Sequence, residues 1–373
     1  MDELTGSFDV WRVVRLGGRE FTDAVVAEPH RGPSPPLAAA LADWPGRWYW
    51  ADRAGGHLVL IRPLGPERRE RWLIHALLFA LTVLCSLGAG LALLGEPLPT
   101  TGPLGGTVQF VQEVIDGGWR FIAAGWPFAV PLLGILLVHE LGHYVAARRY
   151  AIDASPPYFL PVPPTFSPIG SLGAFLRLRS PVLDRRQLLD VGAAGPLAGF
   201  LVTLLVLGWG YGLSERMEPG LDPVRTFVVL AGEQIPLGDS LLTLAFRTLF
   251  HPDVASLELS LPGFAGWVGA FVTGLNLLPL SQLDGGHVVY ALFGRRQATV
   301  GLLALCGLLI LAQYSWNWYI WVAFALLVGG GRWAHPSVID PAREVEPERR
   351  RIGWVAIAVF ALTFVPIPFA AGN

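Results

Sequence analysis

Pro131-Leu132-Leu133-Gly134-Ile135-Leu136-Leu137-Val138-His139-Glu140-Leu141-Gly142-His143 is an apolar run that closes on three ionisable side chains. Two histidines four residues apart on a helix point the same way, one turn from each other, and can share a metal. The glutamate between them lies close enough to reach a water on that metal. On a soluble helix such a trio is often only a wet face. Inside a segment long enough to cross a bilayer the balance changes, because a charged residue there costs at least ~2.5 kcal/mol and usually lines a functional cavity. The run therefore predicts a membrane-embedded helix carrying a metal site.

A hydrolytic zinc site needs a third protein ligand and an open position for water. The best candidate is Asp284, in Asn276-Leu277-Leu278-Pro279-Leu280-Ser281-Gln282-Leu283-Asp284-Gly285-Gly286-His287. It is expected at the start of a loop after an apolar span, past the helix-interrupting Pro279. Two glycines follow it and let the backbone pass close to the site. A thiolate site is excluded, since Cys85 and Cys306 are the only cysteines and each sits in an apolar run.

Composition agrees with a membrane setting. Hydrophobic residues make up 53% of the 373, charged residues only 15%, and the mean hydropathy is +0.49, which leaves too little polar surface for an ordinary soluble fold. A net charge of -2 supplies no basic field for nucleic acid. Apolar segments recur at about 73–95, 121–147, 188–212, 262–281, 297–313, 316–331 and 352–370. The expected fold is an all-α polytopic membrane protein of six to seven transmembrane helices, with a re-entrant β-hairpin and a small N-terminal α+β soluble domain. Its expected divisions are that domain over 1–70, a membrane core over 71–331, a cytoplasmic linker over 332–351 and a last helix over 352–373. The N-terminal unit reads as strands over 8–16 and 57–62 flanking a short helix near 36–44. The acidic start of the chain lacks the layout of a cleaved signal peptide.

Arginines cluster at Arg68, Arg69 and Arg71, at Arg148 and Arg149, at Arg177, Arg179, Arg185 and Arg186, and at Arg295, Arg296, Arg332, Arg343 and Arg349 to Arg351. With seven spans these fall on one side, which the positive-inside rule makes cytoplasmic.

The segments Leu137-Val138-His139-Glu140-Leu141-Gly142-His143 and Asn276-Leu277-Leu278-Pro279 to Leu283-Asp284-Gly285-Gly286-His287 together resemble the site-2 protease family of intramembrane zinc metalloproteases. The resemblance runs through Gly170-Ser171-Leu172-Gly173-Ala174-Phe175 and Ala193-Ala194-Gly195-Pro196-Leu197-Ala198-Gly199, covering about residues 120–295. It implies one Zn2+ per chain held by His139, His143 and Asp284, with Glu140 as catalytic carboxylate and Asn276 as a polar helper near the substrate. It further implies transmembrane protein substrates, a lipid bilayer around the enzyme, and a multi-pass protein of the bacterial inner membrane with its active site toward the cytoplasm. The loop over 213–262 is too short for an inserted PDZ domain, so the layout is similar to the PDZ-less branch of bacteria and plastids. A membrane metal transporter would string such residues across several spans, and a catalytically silent scaffold would not need Glu140. A prenyl-protein protease would usually take a glutamate as third ligand.

A helical peptide bond must be extended before it can be cut. Tyr158-Phe159-Leu160-Pro161-Val162-Pro163-Pro164 cannot be helical, and from Ala174 the sequence alternates, with Phe175, Arg177 and Arg179 on one face and Leu176 and Leu178 on the other. The pair reads as a re-entrant hairpin whose free edge binds unwound substrate through Gly173, Ala174, Phe175, Leu176, Arg177 and Leu178. Gly195 and Gly199 are expected to pack against the zinc-bearing helix. His287 is expected either beside a ligand or in water, and His75, His251 and His335 have no partner spacing in the sequence and are expected to play no part in the site.

Overall fold

Helices cover each of the apolar runs in the computed structural model, which describes residues 2–369 apart from 17, 33, 53, 66–69, 96–101, 181, 218–225, 231, 253 and 342. Arg68 and Arg69 of the first arginine cluster lie outside the described residues.

The chain opens with helix α1 (Asp2–Thr5) and strands β1 (Phe8–Leu16) and β2 (Arg19–Val26), then helix α2 (Pro35–Ala42) and strands β3 (Arg47–Trp50) and β4 (His57–Pro63). The strands form one antiparallel sheet in the order β1-β2-β4-β3, so β2 and β3 add to the two strands expected. β4 shows no inside-outside alternation because both its faces are covered. Leu58 and Leu60 pack with Leu37 and Leu41 of α2, while Val59 and Ile61 pack with Phe21, Ala151 and Leu183.

The second group of helices is α3 (Trp72–Ala92), α4 (Gly102–Arg149), α5 (Arg185–Leu213), α6 (Leu241–Phe250), α7 (Leu261–Asn276), α8 (Asp284–Phe293), α9 (Gln297–Leu311), α10 (Asn317–Val328) and α11 (Pro347–Thr363). Among the described residues, four stretches are long and apolar enough to cross a membrane: Trp72–Ala92, Ala123–Arg149, Arg185–Leu213 and Asp284–Leu311. By length and composition these are fewer than the six to seven spans expected, and the remaining apolar runs form shorter helices. α7 has 16 residues, about 24 Å at ~1.5 Å per residue, short of a ~30 Å core. α10 has 12, and α11 begins with Glu348 and three arginines. Part of the expected loop before the second span is helical too, since α4 starts at Gly102 and bends at Gly118, with φ 48° and ψ −125°.

Between α4 and α5 lie β5 (Tyr158–Pro161) and β6 (Ser171–Phe175), an antiparallel pair set against α3 and α4. Strand geometry ends at Phe175, but pairing resumes further on. Ser155 donates its N–H to Arg177 O at 3.0 Å, and Arg179 donates to Asp153 O at 2.7 Å. A second sheet, with no counterpart in the sequence expectations, fills the loop after α5. It consists of β7 (Glu215–Met217), β8 (Thr226–Leu230), β9 (Glu233–Leu237) and β10 (Ser256–Glu258) in the order β7-β10-β8-β9.

The two sheets sit at opposite ends of the helix pack. The first is tied to the start of α5, where Gln187 hydrogen-bonds Tyr49, Arg186 donates to Ala51 O, and Arg343 bridges Asp184 Oδ2 at 3.2 Å and His57 Nδ1 at 2.6 Å. At the other end Ser260 Oγ donates to Gly210 O at 2.8 Å and Trp267 Nε1 to Gly238 O at 2.8 Å.

The centre of the fold is a break. α7 stops at Asn276, a turn carries Pro279, and α8 begins at Asp284. The turn is held by Ser281, in the left-handed region at φ 42°, whose N–H donates to Trp333 O at 2.8 Å. α8 ends at Gly294, with φ 59°, and one 3-10 turn over Gly294–Arg296 leads into α9. Gln297 Nε2 then reaches back to Pro279 O at 3.0 Å. Interrupted backbone at such depth is tolerable only where protein or a wet cavity satisfies its polar groups.

α5 and α7 touch backbone to backbone. A Cβ on Gly210 would stand 2.2 Å from Gly263 N and 2.3 Å from Gly263 Cα. Gly210→Val should therefore force the helices apart and cost about 1–3 kcal/mol, read as a lower midpoint of thermal unfolding of the purified protein. An unchanged midpoint would mean that this crossing does not support the fold.

Candidate metal centre

α4 presents His139, Glu140 and His143, all buried, and the break brings Asp284 opposite them. His139 Nε2 and His143 Nε2 stand 3.1 Å apart, and Asp284 Oδ2 lies 3.3 Å from each. These edges decide whether a metal fits. Ligand bonds of ~2.0–2.1 Å around a tetrahedral ion set neighbouring ligand atoms about 3.3–3.4 Å apart. Two imidazole nitrogens and a carboxylate oxygen with this spacing suit zinc, and among the described residues no other group of three or more such side chains converges.

The surroundings orient the ligands. His143 Nδ1 donates to Val191 O at 2.7 Å, which fixes the tautomer and leaves Nε2 free to bind metal. Asp284 is the first residue of α8 and so stands at a helix N-terminus, where a carboxylate is favoured. The expectation placed it in a loop. It is helical because Gly285 and Gly286 allow the turn to close, since a Cβ on Gly285 would lie 1.9 Å from Leu277 O and one on Gly286 2.2 Å from Ser281 O. Glu140 is buried among the charges of both histidines and Asp284. Asn276, at the end of α7, brings Nδ2 to 3.3 Å from His139 Nε2.

α5 supplies the floor. A Cβ on Gly192 would meet His287 Cβ at 2.6 Å, one on Gly195 would meet His143 Nε2 at 2.1 Å, and one on Gly199 would meet His139 Cβ at 3.0 Å. The packing role expected for Gly195 and Gly199 thus extends one turn to Gly192. His287 is buried and its Nδ1 lies 2.7 Å from His335 Nε2. His335, expected to play no part in the site, is its partner, a pairing across 48 residues that no local spacing reveals. Burial pushes the His335 imidazole down to about 4, so it is neutral near neutral pH. His75 Nδ1 meets Pro157 O at 3.1 Å and His251 Nε2 meets Tyr211 O at 2.7 Å, both backbone contacts away from the metal residues.

Residues 127–311, from the second half of α4 to the end of α9, match the sequence model of peptidase family M50. The chain belongs to that family, the site-2 protease family. An M50 assignment accounts for the placement of both motifs inside the matched stretch. "Probable zinc metalloprotease EGY1, chloroplastic" of Arabidopsis thaliana is 30% identical over 312 residues, which are 81% of this chain and 54% of that protein. "Probable zinc metalloprotease EGY2, chloroplastic" of Oryza sativa subsp. indica is 32% identical over 251 residues, 65% of this chain and 42% of the relative. The chain spans about half the length of the curated relatives it matches. Their names are chloroplastic and lend no support to the expected bacterial inner membrane. No solved structure gives a significant match.

Because any Cβ at position 195 intrudes on a ligand nitrogen, Gly195→Ala should lower zinc retention by about 10–100-fold, the range for disturbed ligand support. Gly199→Ala, with a 3.0 Å contact, should retain most of it. Elemental analysis of the purified variants distinguishes the two, and full zinc in Gly195→Ala would exclude His143 Nε2 as a ligand atom.

Proposed function

We propose that this chain is a zinc metalloendopeptidase that hydrolyses peptide bonds in or near the transmembrane segments of membrane proteins. The observation that carries the reading is the buried convergence of His139, His143 and Asp284, with Glu140 on the same helical turn. His139, His143 and Asp284 would hold zinc, which when bound would supply Lewis acidity to the scissile carbonyl and ease deprotonation of water near neutral pH. Glu140 accepts the proton on its carboxylate and delivers it to the departing amine nitrogen. Asn276 Nδ2 points to the ligand cluster and can donate to the oxyanion or to substrate backbone. A metal transporter is not favoured, since the described residues hold one such cluster and no string of them.

Glu140→Gln keeps the ligand set and removes the base. Cleavage of a transmembrane substrate in proteoliposomes should fall ~10²–10⁴-fold while one zinc per chain remains. Zinc loss in this variant would recast Glu140 as a ligand.

We assign substrate binding to the edge formed by Gly173, Ala174, Phe175, Leu176, Arg177 and Leu178. In the ladder with 153–155, Arg177 and Arg179 spend backbone groups on Ser155 and Asp153. Leu178, opposite Ala154 in that bridge, therefore turns its own N–H outward, as antiparallel alternation requires. Leu176 and Leu178 pack in one cluster with Tyr144, Ala147 and Val191, close in sequence to His143 and its carbonyl partner. Strand addition here would hold an extended segment near the metal. Leu178→Pro removes one outward donor, so it should slow cleavage with zinc intact. An unaltered rate would remove this edge from substrate binding.

The metal centre is placed toward the arginine-rich end, where α4 finishes with Arg148 and Arg149. Residues 1–70, 332–351 and the first sheet belong to that same side. Single cysteines at the exposed Arg332 and Glu233, in a Cys-free background, should react with an impermeant thiol reagent from opposite faces of the membrane. Reaction from one face would overturn the topology.

A further inference from the structure

A groove of 580 Å³ runs along α4 beside the face that carries the two histidines, bounded by α5 and α11. Its volume falls in the ~300–1,000 Å³ range of small-molecule sites. Val138, Leu141, Val145, Leu197 and Ile352 form its walls. Gly142, Ala194 and Ala198 make it deep by leaving no side-chain bulk between the helices. The walls remain open to the surroundings, with Val145 64% and Leu141 40% exposed. The groove is therefore an apolar channel along whose outer side no described residue lies.

One end is polar. It carries Arg149, Tyr150, Asp190 and Arg349. Asp190 is engaged by both Arg349 and the Tyr150 hydroxyl. Glu346 lies between Arg186 and Arg349 at 3.7 Å from each. Among the described residues the ion pairs at this end belong to Arg186 and Arg349, and Arg149 forms none. Its neighbour Arg148 leans on the Tyr144 ring at 5.8 Å. Arg149 is exposed at the last turn of α4, where the helix leaves the apolar layer. The same end has hydrogen-bonding capacity that the protein does not use, since Arg349 Nε and Asp190 Oδ1 are buried with no partner.

We infer that this groove is a binding site for one anionic phospholipid, its acyl chain lying along Val138, Leu141 and Val145 and its phosphate at Arg149. The chemistry is complementary at both ends. An acyl chain packs into the apolar channel by shape, and the phosphate supplies the counter-charge Arg149 lacks. A net negative headgroup is selected over a zwitterionic one because the Arg349–Asp190 pair is already neutral, leaving one uncompensated cation. A substrate helix is a poorer occupant, since α4 and α5 touch at the groove floor, where a Cβ on Gly142 would stand 2.5 Å from Ala194 O, and so separate the groove from His139 and His143. The inference does not depend on catalysis, so it stands or falls separately from the protease reading.

The test uses the full chain in nanodiscs of equal phosphatidylglycerol and phosphatidylcholine, released for native mass spectrometry. One phosphatidylglycerol should remain bound per chain, retained about tenfold over phosphatidylcholine. Arg149→Gln should abolish that preference, Arg149→Lys should restore much of it, and Arg148→Gln should leave it unchanged. Val145→Trp, which fills the channel, should expel both lipids. Equal retention of the two lipids by the unaltered chain, or an undiminished preference in Arg149→Gln, would overturn the site. So would a stable dimer that Val145→Trp splits, which would give the groove to a second copy of the chain.

Discussion

Three ionisable side chains meet in the middle of an apolar helix pack, and the rest of the structure is arranged around the cost of holding them there. Desolvated imidazoles and a carboxylate at this depth are stable only if they bond to one another or to a cation. The 3.1 and 3.3 Å edges of His139, His143 and Asp284 are short enough that a single ion satisfies all three. Close convergence demands that backbones approach closely, and the glycines of α5 are the means. Gly195 leaves room for the His143 ring and Gly199 for His139, while Val191, on the same helix, takes the Nδ1 proton of His143.

The same constraint explains the broken helix. A continuous helix in place of α7 and α8 would carry Asn276 and Asp284 eight residues apart along its length. Interrupting it at Pro279 folds the two back toward one level, with Asp284 at a new N-terminus. The turn that results exposes peptide groups, and they are satisfied from elsewhere in the chain. Ser281 N–H goes to Trp333 O, and Gln297 takes Pro279 O while receiving the N–H of His335. The segment near His335 therefore braces the metal-bearing turn, and the His287–His335 contact belongs to that brace.

The chemistry and the membrane setting also share space economically on α4. One flank carries the candidate metal ligands, while Leu141 and Val145 on the other side of the helix are exposed. The arginines at its end mark where the apolar layer stops. The first sheet is fastened to that end by polar contacts through Tyr49, Ala51 and His57, so its strands stand beside the start of α5.

The sequence alone determined the membrane class, the helices over the apolar runs, and the candidate ligands, because those rest on local rules. His139 and His143 need only a helical spacing, and apolar run length alone sets which segments can enter a bilayer. Even Asp284 was legible, from the proline before it and the glycines after it. What local rules could not decide was anything that depends on two distant segments meeting. The breakdown of the expected spans into long and short helices, the helical start at Asp284, the second sheet after α5, and the hidden strands β2 and β3 all fall in this group. β4 lost its alternation because both faces are buried, and His335 gained a partner 48 residues away. Only tertiary structure could settle these, since a side chain's exposure and a buried polar group's partner are properties of the packed neighbours and not of the residue's own stretch of chain.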